Sequence, residues 1–362
     1  MTYALHAHDL DPRVATGIAR YARGLVGGLR ANGEDALIAT ARGCGTVPDG
    51  HLELPWARRD LNKRWWVARR PLLENVIAKV DPHLTVDVVH ATAPIIPLPT
   101  RKPLVVTVHD LTPATHPEWF APAAQLYFRR CLPWIRRRAD AVIVPTQIVA
   151  DEVHERLRLG DRPVVVTSEG VDATWLREDP SGEVLRRFQL PPGGYLLHLG
   201  AVNRRKNLAP LLDAVAQTDQ MLVLAGPPGL GAEAVQEAAA ARPDRIRLLG
   251  RVDDDDVGPL VRGARALVHP SLYEGFGLTI IEAMAVGTPV ICSDGGALPE
   301  VAGDAALVAG TTSNEQWNAA LEAIASDSEH ARLRAAGLTR SAQFRWDDVA
   351  EATAAVYRRI AG

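Results

Sequence analysis

Two carboxylates flank a glycine turn in the stretch SLYEGFGLTIIEAMAVGTPV, which runs from Ser271 to Val290. Glu274 stands just before Gly275, Phe276 and Gly277, and Glu282 follows in a segment otherwise apolar enough to be core. Glycines at 275 and 277 let backbone N–H groups approach a ligand with no Cβ in the way. The pattern predicts a helix starting near Leu278 or Thr279, with Glu282 in its first turn or just beyond. The free amides and partial positive charge of such a helix end suit a phosphate or pyrophosphate. Acids on either side of that anion can accept hydrogen bonds from vicinal hydroxyls, one set on a sugar and one on a ribose. Two acids also fit a glycoside hydrolase, but that chemistry has no use for a phosphate-binding helix end between them. Each acid alone reads equally well as a helix-dipole residue or a solvated loop residue. The pair around the glycines points to a ligand.

A second element carries the opposite charge. HLGAVNRRKNLAPLLDAV places Arg204, Arg205 and Lys206 after a predicted strand and directly before an amphipathic helix built on Leu208, Leu211, Leu212 and Val215. Cations at a helix N-terminus oppose its dipole unless an anion is bound. Lysine as a point charge and arginine as a fork are the usual phosphate partners. A solvated basic turn is the bland alternative. His109 and Asp110 close VTVHD at another predicted strand end, where a capping turn would explain the pair as well as a ligand contact. His90, in DVVHATAP, is read as structural. His8 and Asp9, near the first strand, are candidate acceptor contacts. The run Asp253–Asp256 after Val252 reads as the acidic first turn of a helix and not as a metal box. No metal and no cofactor are expected.

These residues need elements to hold them. Short β-branched runs alternate with helical stretches: PLVVTVHD, DAVIVPT, PVVVTSEG, YLLHLG, MLVLAG, RIRLLG, RALVHPS, TPVICSD and AALVAG. Strands apolar on both faces and separated by helices indicate parallel sheets covered on both sides. Most of these runs end in Gly, Ser, Thr, Asp or His, where strand-end loops carry ligands. LREDPSGEVLRRFQLPPGG (176–194) breaks the pattern and reads as a linker. The expected organisation is an N-terminal α/β domain over 1–175, a C-terminal α/β domain over 176–345, a cleft between them, and a terminal helix over 346–362.

The chain of 362 residues is long enough for two such cores, and its 47% apolar and 23% charged content is that of a globular protein. A net charge of −3 gives no overall field for nucleic acid or a membrane. Cys44, Cys131 and Cys292 are too far apart for a metal cluster or a disulfide framework. The start MTYALHAHDL lacks a leader pattern, and no run approaches a membrane span, so a cytoplasmic protein is expected. Two stretches, ARRDLNKRWWVARRPLLENVI (57–77) with Trp65 and Trp66, and RRCLPWIRRRAD (129–140), are basic and tryptophan-bearing. Such segments can touch an anionic membrane at its inner face or a sugar acceptor; packed tryptophans with solvated arginines is the plainer reading.

The motifs EGFGL-T-IIEAMA-x-G-x-PV and G-AVN-RRKN, with GVD at 170–172 and the final FRWDDVAEATAAVYRRI, resemble the retaining glycosyltransferases of family 4 over nearly the whole chain. TGIARYARGLVGGL resembles that family's glycine loop and first helix. VTVHDLTPATHPEWF resembles its mannosyl- and rhamnosyltransferase branch. The resemblance implies the GT-B fold and a nucleotide-diphosphate sugar donor. It implies that Glu282 binds ribose, that Glu274 with the backbone of Gly275, Phe276 and Gly277 holds the transferred sugar, and that Arg205 and Lys206 neutralise the diphosphate beside the amides of Leu278 and Thr279. Gly17 would let the N-terminal loop close over the diphosphate, His109 would contact the donor sugar, and Val252 would lie near the base. The terminal helix would act in the hinge. Thr279 stands where proline is common, and Ala201 where some members place arginine, which leaves the charge to Arg205 and Lys206 with Arg204 as a third candidate. The implied reaction moves a hexose to a small-molecule, oligosaccharide or lipid-linked acceptor. Rival functions are a nucleotide-sugar epimerase, a sugar-phosphate synthase and a catalytically silent nucleotide-sugar-binding protein.

Overall fold

The computed structural model describes residues 1–7, 17–42, 51–57, 73–94, 99–171 and 178–362. His8, Asp9, Cys44, Trp65, Trp66 and most of the basic stretch 57–77 lie outside the described residues. The chain divides into two units. The first comprises Met1–Ala114, Ala123–Gly170 and Arg345–Gly362; the second comprises Thr115–Pro122 and Val171–Phe344.

The first unit is built on β1 (Thr2–Ala7), β2 (Asp35–Arg42), β3 (His51–Ala57), β4 (Val88–Ala91), β5 (Leu104–Thr107), β6 (Ala141–Val144) and β7 (Val164–Val166). They form one sheet in the order β3-β2-β1-β4-β5-β6-β7, and every pair is parallel. Successive strand residues point to opposite faces. Val106 therefore packs into a core with Cys131 and Ile135, while Val105 packs into another with Tyr21, Leu25 and Tyr357. Burial on both faces is why β5 and β6 are continuous apolar runs.

The helix Trp346–Ala361 belongs to this unit and lies on the helix Gly17–Ala31. The contact depends on missing side chains. A Cβ at Gly24 would meet the Trp346 ring at 2.1 Å, one at Gly28 would meet the Trp346 carbonyl at 2.5 Å, and one at Gly170 would meet the ring at 2.6 Å. The glycines of GLVGGL, four apart, thus form a groove that the indole fills.

The second unit holds β8 (Tyr195–Leu199), β9 (Met221–Ala225), β10 (Ile246–Gly250), β11 (Ala266–His269), β12 (Val290–Ser293) and β13 (Ala306–Ala309). Their order is β10-β9-β8-β11-β12-β13, again all parallel. The strand order reverses at β1/β4 in the first unit and at β8/β11 in the second. In open parallel sheets the crevice at the carboxyl ends of such a pair is where ligands bind. The described part of the stretch expected as a linker is packed: it holds a short helix, Glu183–Arg187, whose Leu185 enters the second unit's core with Leu190. Apolar residues inside a charged stretch were the missed signal.

Gly24→Ala should lower stability by about 1–3 kcal/mol through overpacking against Trp346. Urea denaturation checks this, and an unchanged midpoint would show that the helix pair relaxes freely.

Candidate functional site

The site in the second unit grows from the loops after β8 and β11. After β8, Gly200 takes φ +139, and Lys206 Cε lies 3.6 Å from where a Cβ would stand. Arg204–Lys206 form a 3-10 turn, and the Asn203 side chain accepts from the Lys206 N–H at 3.1 Å. After β11, the chain runs through Ser271 and Glu274 to Gly277, whose left-handed φ of 103 starts the helix Leu278–Ala285. Glycine is needed there, because an L side chain resists that conformation and a Cβ would meet Leu298 at 2.7 Å. The two loops are tied by the Leu272 N–H donating to the Arg205 carbonyl at 2.8 Å.

The side chains then converge on one carboxylate. Glu274 Oε2 accepts from Arg205 Nη1 at 2.6 Å, and Oε1 accepts from Lys206 Nζ at 2.8 Å and from Ser271 Oγ at 2.9 Å. His269 Nε2 lies 3.4 Å from the same Oε1, and the Thr279 hydroxyl lies 3.2 Å from His269 Nδ1. Burial alone would raise the Glu274 carboxyl, but Arg205 and Lys206 outweigh it and hold it well below the usual carboxylate range. Beneath the cations, burial and then the Lys206 charge push His269 down to about 4 and His198 down to about 3. Both histidines are therefore neutral at pH 7. The two cations, one anion and neutral floor leave a site of net positive charge at the mouth of the β8/β11 crevice, next to a helix N-terminus.

The expected residues fall as follows. Arg205, Lys206, Glu274 and Gly275–Thr279 come together, and Glu282 is buried at 3% exposure in the following helix. The Phe276 side chain packs into the core beside Phe344, which leaves its backbone for a ligand. Thr279, standing where proline is common, is used to hold His269. Arg204 is exposed and lies over Gly231, apart from the Glu274 cluster. Val252 follows β10, the edge strand, and packs against the same core. Asp253 precedes the helix Asp254–Gly263, whose Asp256 pairs with Arg187 at 2.5 Å. Ser271, His269 and His198 were not singled out. The Ser-x-x-Glu spacing and the strand-end histidines were the available signals.

In the first unit, Gly17 begins its helix, and the loop before it lies outside the described residues. One turn on, the Tyr21 ring stands nearly perpendicular to His109, with centroids 4.7 Å apart. His109 Nδ1 lies 2.8 Å from Glu169 Oε1, and its Nε2 lies 2.9 Å from the Thr92 carbonyl. His90 is structural: it is fully buried, bonded to the Tyr357 and Thr107 hydroxyls, and pushed down to about 3 by burial.

Known families match both units of the chain. The model of "Glycosyltransferase Family 4" matches residues 15–175, and that of "Glycosyl transferases group 1" matches residues 188–337. The O-antigen chain mannosyltransferase B of Escherichia coli is 32% identical over 270 residues, which cover 71% of this chain and 70% of that protein. The chain belongs to glycosyltransferase family 4. Its GT-B fold is shared with sucrose-phosphate synthase from Thermosynechococcus elongatus (TM-score 0.75, 21% identity, covering 99% of this chain and 98% of that one). It is shared equally with Anabaena Alr3699/HepE solved in complex with UDP (TM-score 0.71, 18% identity, covering 99% and 100%). This family 4 member is thus a glycosyltransferase of the GT-B fold.

Two outcomes follow from the charge cluster. Glu274→Gln removes the counterion of two mostly buried cations and should cost about 3 kcal/mol in urea denaturation. Inorganic pyrophosphate should then raise the melting temperature of the variant more than that of the wild type, and equal shifts would place the anion site elsewhere. His198 titrates near 3 when folded and near 6.5 when unfolded, so its neutral form stabilises the fold above pH 6.5 and that contribution is lost as pH falls. Between pH 7 and pH 5 the wild type should lose about 2 kcal/mol more than His198→Gln, read from urea curves at both pH values.

Proposed function

We propose that this glycosyltransferase moves a hexose of mannose, rhamnose or glucose type from a nucleotide-diphosphate sugar to a hydroxyl acceptor. Transfer proceeds with retention and without a metal ion. The observation that carries the reading is the convergence of Arg205, Lys206 and Glu274 at the β8/β11 crevice, ahead of the N-terminus of Leu278–Ala285. A diphosphate is the anion that this net positive, partly dry site fits. The UDP complex of the HepE neighbour supports a nucleoside diphosphate on this fold, and the O-antigen relative supports a mannose-type donor and a cell-surface glycan product. A natural-product glycoside is an equally suitable hydroxyl acceptor.

In this reading Lys206 and Arg205 hold the diphosphate, and with the amides of Leu278 and Thr279 they stabilise the charge that grows on it as the sugar–phosphate bond breaks. Glu282 holds the ribose hydroxyls. Glu274 and the backbone of Gly275, Phe276 and Gly277 hold the transferred sugar, His109 contacts it, Gly17 serves the diphosphate loop, and Val252 lies near the base. No side chain is placed as a covalent nucleophile. The acceptor oxygen bonds to the anomeric carbon from the leaving-group face, and its proton passes to a phosphate oxygen of the departing nucleotide.

The protein works on the cytoplasmic side, with a peripheral contact to anionic lipid through the helix Pro122–Arg138. That helix carries no acid and exposes Arg129, Arg130, Arg136, Arg137 and Arg138 beside a half-exposed Leu126. Among the described residues no helix is long and apolar enough to cross a membrane.

The test is a thermal-shift titration with GDP, UDP, dTDP and ADP, without metal. One nucleotide should stabilise the protein by about 2.7 kcal/mol at a hundredfold excess over its Kd, and Lys206→Ala should abolish the shift. No shift with any of them, with or without magnesium, would move the reading to a silent homologue.

A further inference from the structure

Both ring nitrogens of His109 have a protein oxygen within hydrogen-bond distance. Nε2 lies 2.9 Å from the Thr92 carbonyl, and a carbonyl oxygen only accepts, so this nitrogen carries a hydrogen and donates it. Nδ1 lies 2.8 Å from a Glu169 carboxyl oxygen, so one proton lies between them, and the Glu169 hydrogen bond and charge favour its sitting on Nδ1. Glu169 is 4% exposed and Thr92 is fully buried, and water competes little for either bond. The partners come from three strand ends. Thr92 follows β4, His109 follows β5, and Glu169 follows β7, just ahead of Gly170. The imidazole ring joins all three loops at the carboxyl edge of the sheet, beside the β1/β4 crevice.

We propose that Glu169 is a positioning residue that keeps both ring nitrogens of His109 protonated and turned into the protein, so that His109 serves glycosyl transfer as a fixed cationic clamp of strand-end loops and not as its general base. For the reaction itself the inference rests on the function proposed above; for the state of the ring it does not.

The groups that face His109 agree with a charged ring. Burial opposes the imidazolium, but the Glu169 hydrogen bond and charge, the Thr92 carbonyl and the Asp110 charge outweigh it and raise the His109 pKa from the ordinary histidine value. Asp110 is itself engaged in the next turn, where Oδ1 accepts from the Thr112 N–H at 3.0 Å. Tyr21 offers its ring, and its hydroxyl is bonded to Thr107. His90, the other nearby imidazole, is neutral and adds no competing charge. A raised histidine contributes its stability below the unfolded value of about 6.5 and loses it as pH climbs through the folded value. The clamp therefore opens on the basic side.

Two measurements test this. The first is a pH titration of the side-chain nitrogens in 15N-histidine-labelled protein, with His109 assigned through His109→Asn. Both nitrogens of His109 should stay protonated at pH 7, and Glu169→Gln should lower the midpoint by a unit or more. A bare nitrogen on His109 in the wild type at pH 7 would overturn the proposal, and this readout stands even if Glu169→Gln fails to fold. It also needs no nucleotide, so a failed nucleotide titration and a failed clamp are separate results. The second is kcat/KM against pH with the donor found by that titration. Activity should fall as pH rises past the His109 midpoint, and Glu169→Gln should move that fall down, an about tenfold loss at pH 8 per unit of displacement. Activity that rises with pH through the histidine range, or a Glu169→Gln profile superimposable on the wild type, would show a base or a bystander instead.

Discussion

The carboxylate of Glu274 is the interaction on which the second unit's site depends. Arg205 and Lys206 come from a turn that closes one half of the sheet, and Glu274 comes from the loop that opens the other half. Partly burying two cations costs several kcal/mol per ion unless a countercharge and further hydrogen bonds compensate. Glu274 supplies the countercharge, and Ser271 fills a remaining acceptor position on its Oε1. The floor of neutral His269 and His198 matters equally, since a third or fourth positive charge there would repel Lys206. The result is a cation pair held in place before any ligand arrives, which is what electrostatic preorganisation requires.

Backbone proximity makes that pairing reachable. A Cβ at Gly295 would meet the Ser271 carbonyl at 2.3 Å, and one at Gly296 would meet the Glu274 carbonyl at 2.4 Å, so the loop after β12 presses directly on the carboxylate's own backbone. On the other side a Cβ at Gly226 would meet the Gly200 carbonyl at 1.9 Å, which fixes the loop that leads to Lys206. The first unit uses the same device around Trp346. In the second unit glycine stands where two chain segments touch with no side chain between them, and in the first it leaves the room that the Trp346 indole takes.

Much of this was legible in the sequence, for identifiable reasons. Strands β5, β6, β8, β9, β11 and β12 are largely buried on both faces and β7, β10 and β13 only in part, and their apolar runs gave all of them away one by one. β2 and β3 escaped, because DALIATAR and HLELPWA mix charge, alanine and proline, in the edge strand β3 and in its neighbour β2. The glycine turn and the helix at Leu278 were legible because their residues are contiguous. The ion pair was not: Arg205 and Glu274 are 69 positions apart, and the resemblance assigned them to different parts of a ligand, whereas the structure joins them to each other. Glu169 was invisible for the same reason, since only the parallel order β4-β5-β6-β7 brings its loop to His109. Charge compensation across strand ends is a property of topology, and no local pattern encodes it.

The most direct test of this account is a crystal structure of the protein with the nucleoside diphosphate that it binds. The diphosphate should lie in the β8/β11 crevice, within hydrogen-bond reach of Lys206 Nζ, the Arg205 guanidinium and the amides that open the helix Leu278–Ala285. A nucleotide bound away from that crevice, or one whose phosphates leave Arg205 and Lys206 paired only with Glu274, would contradict it.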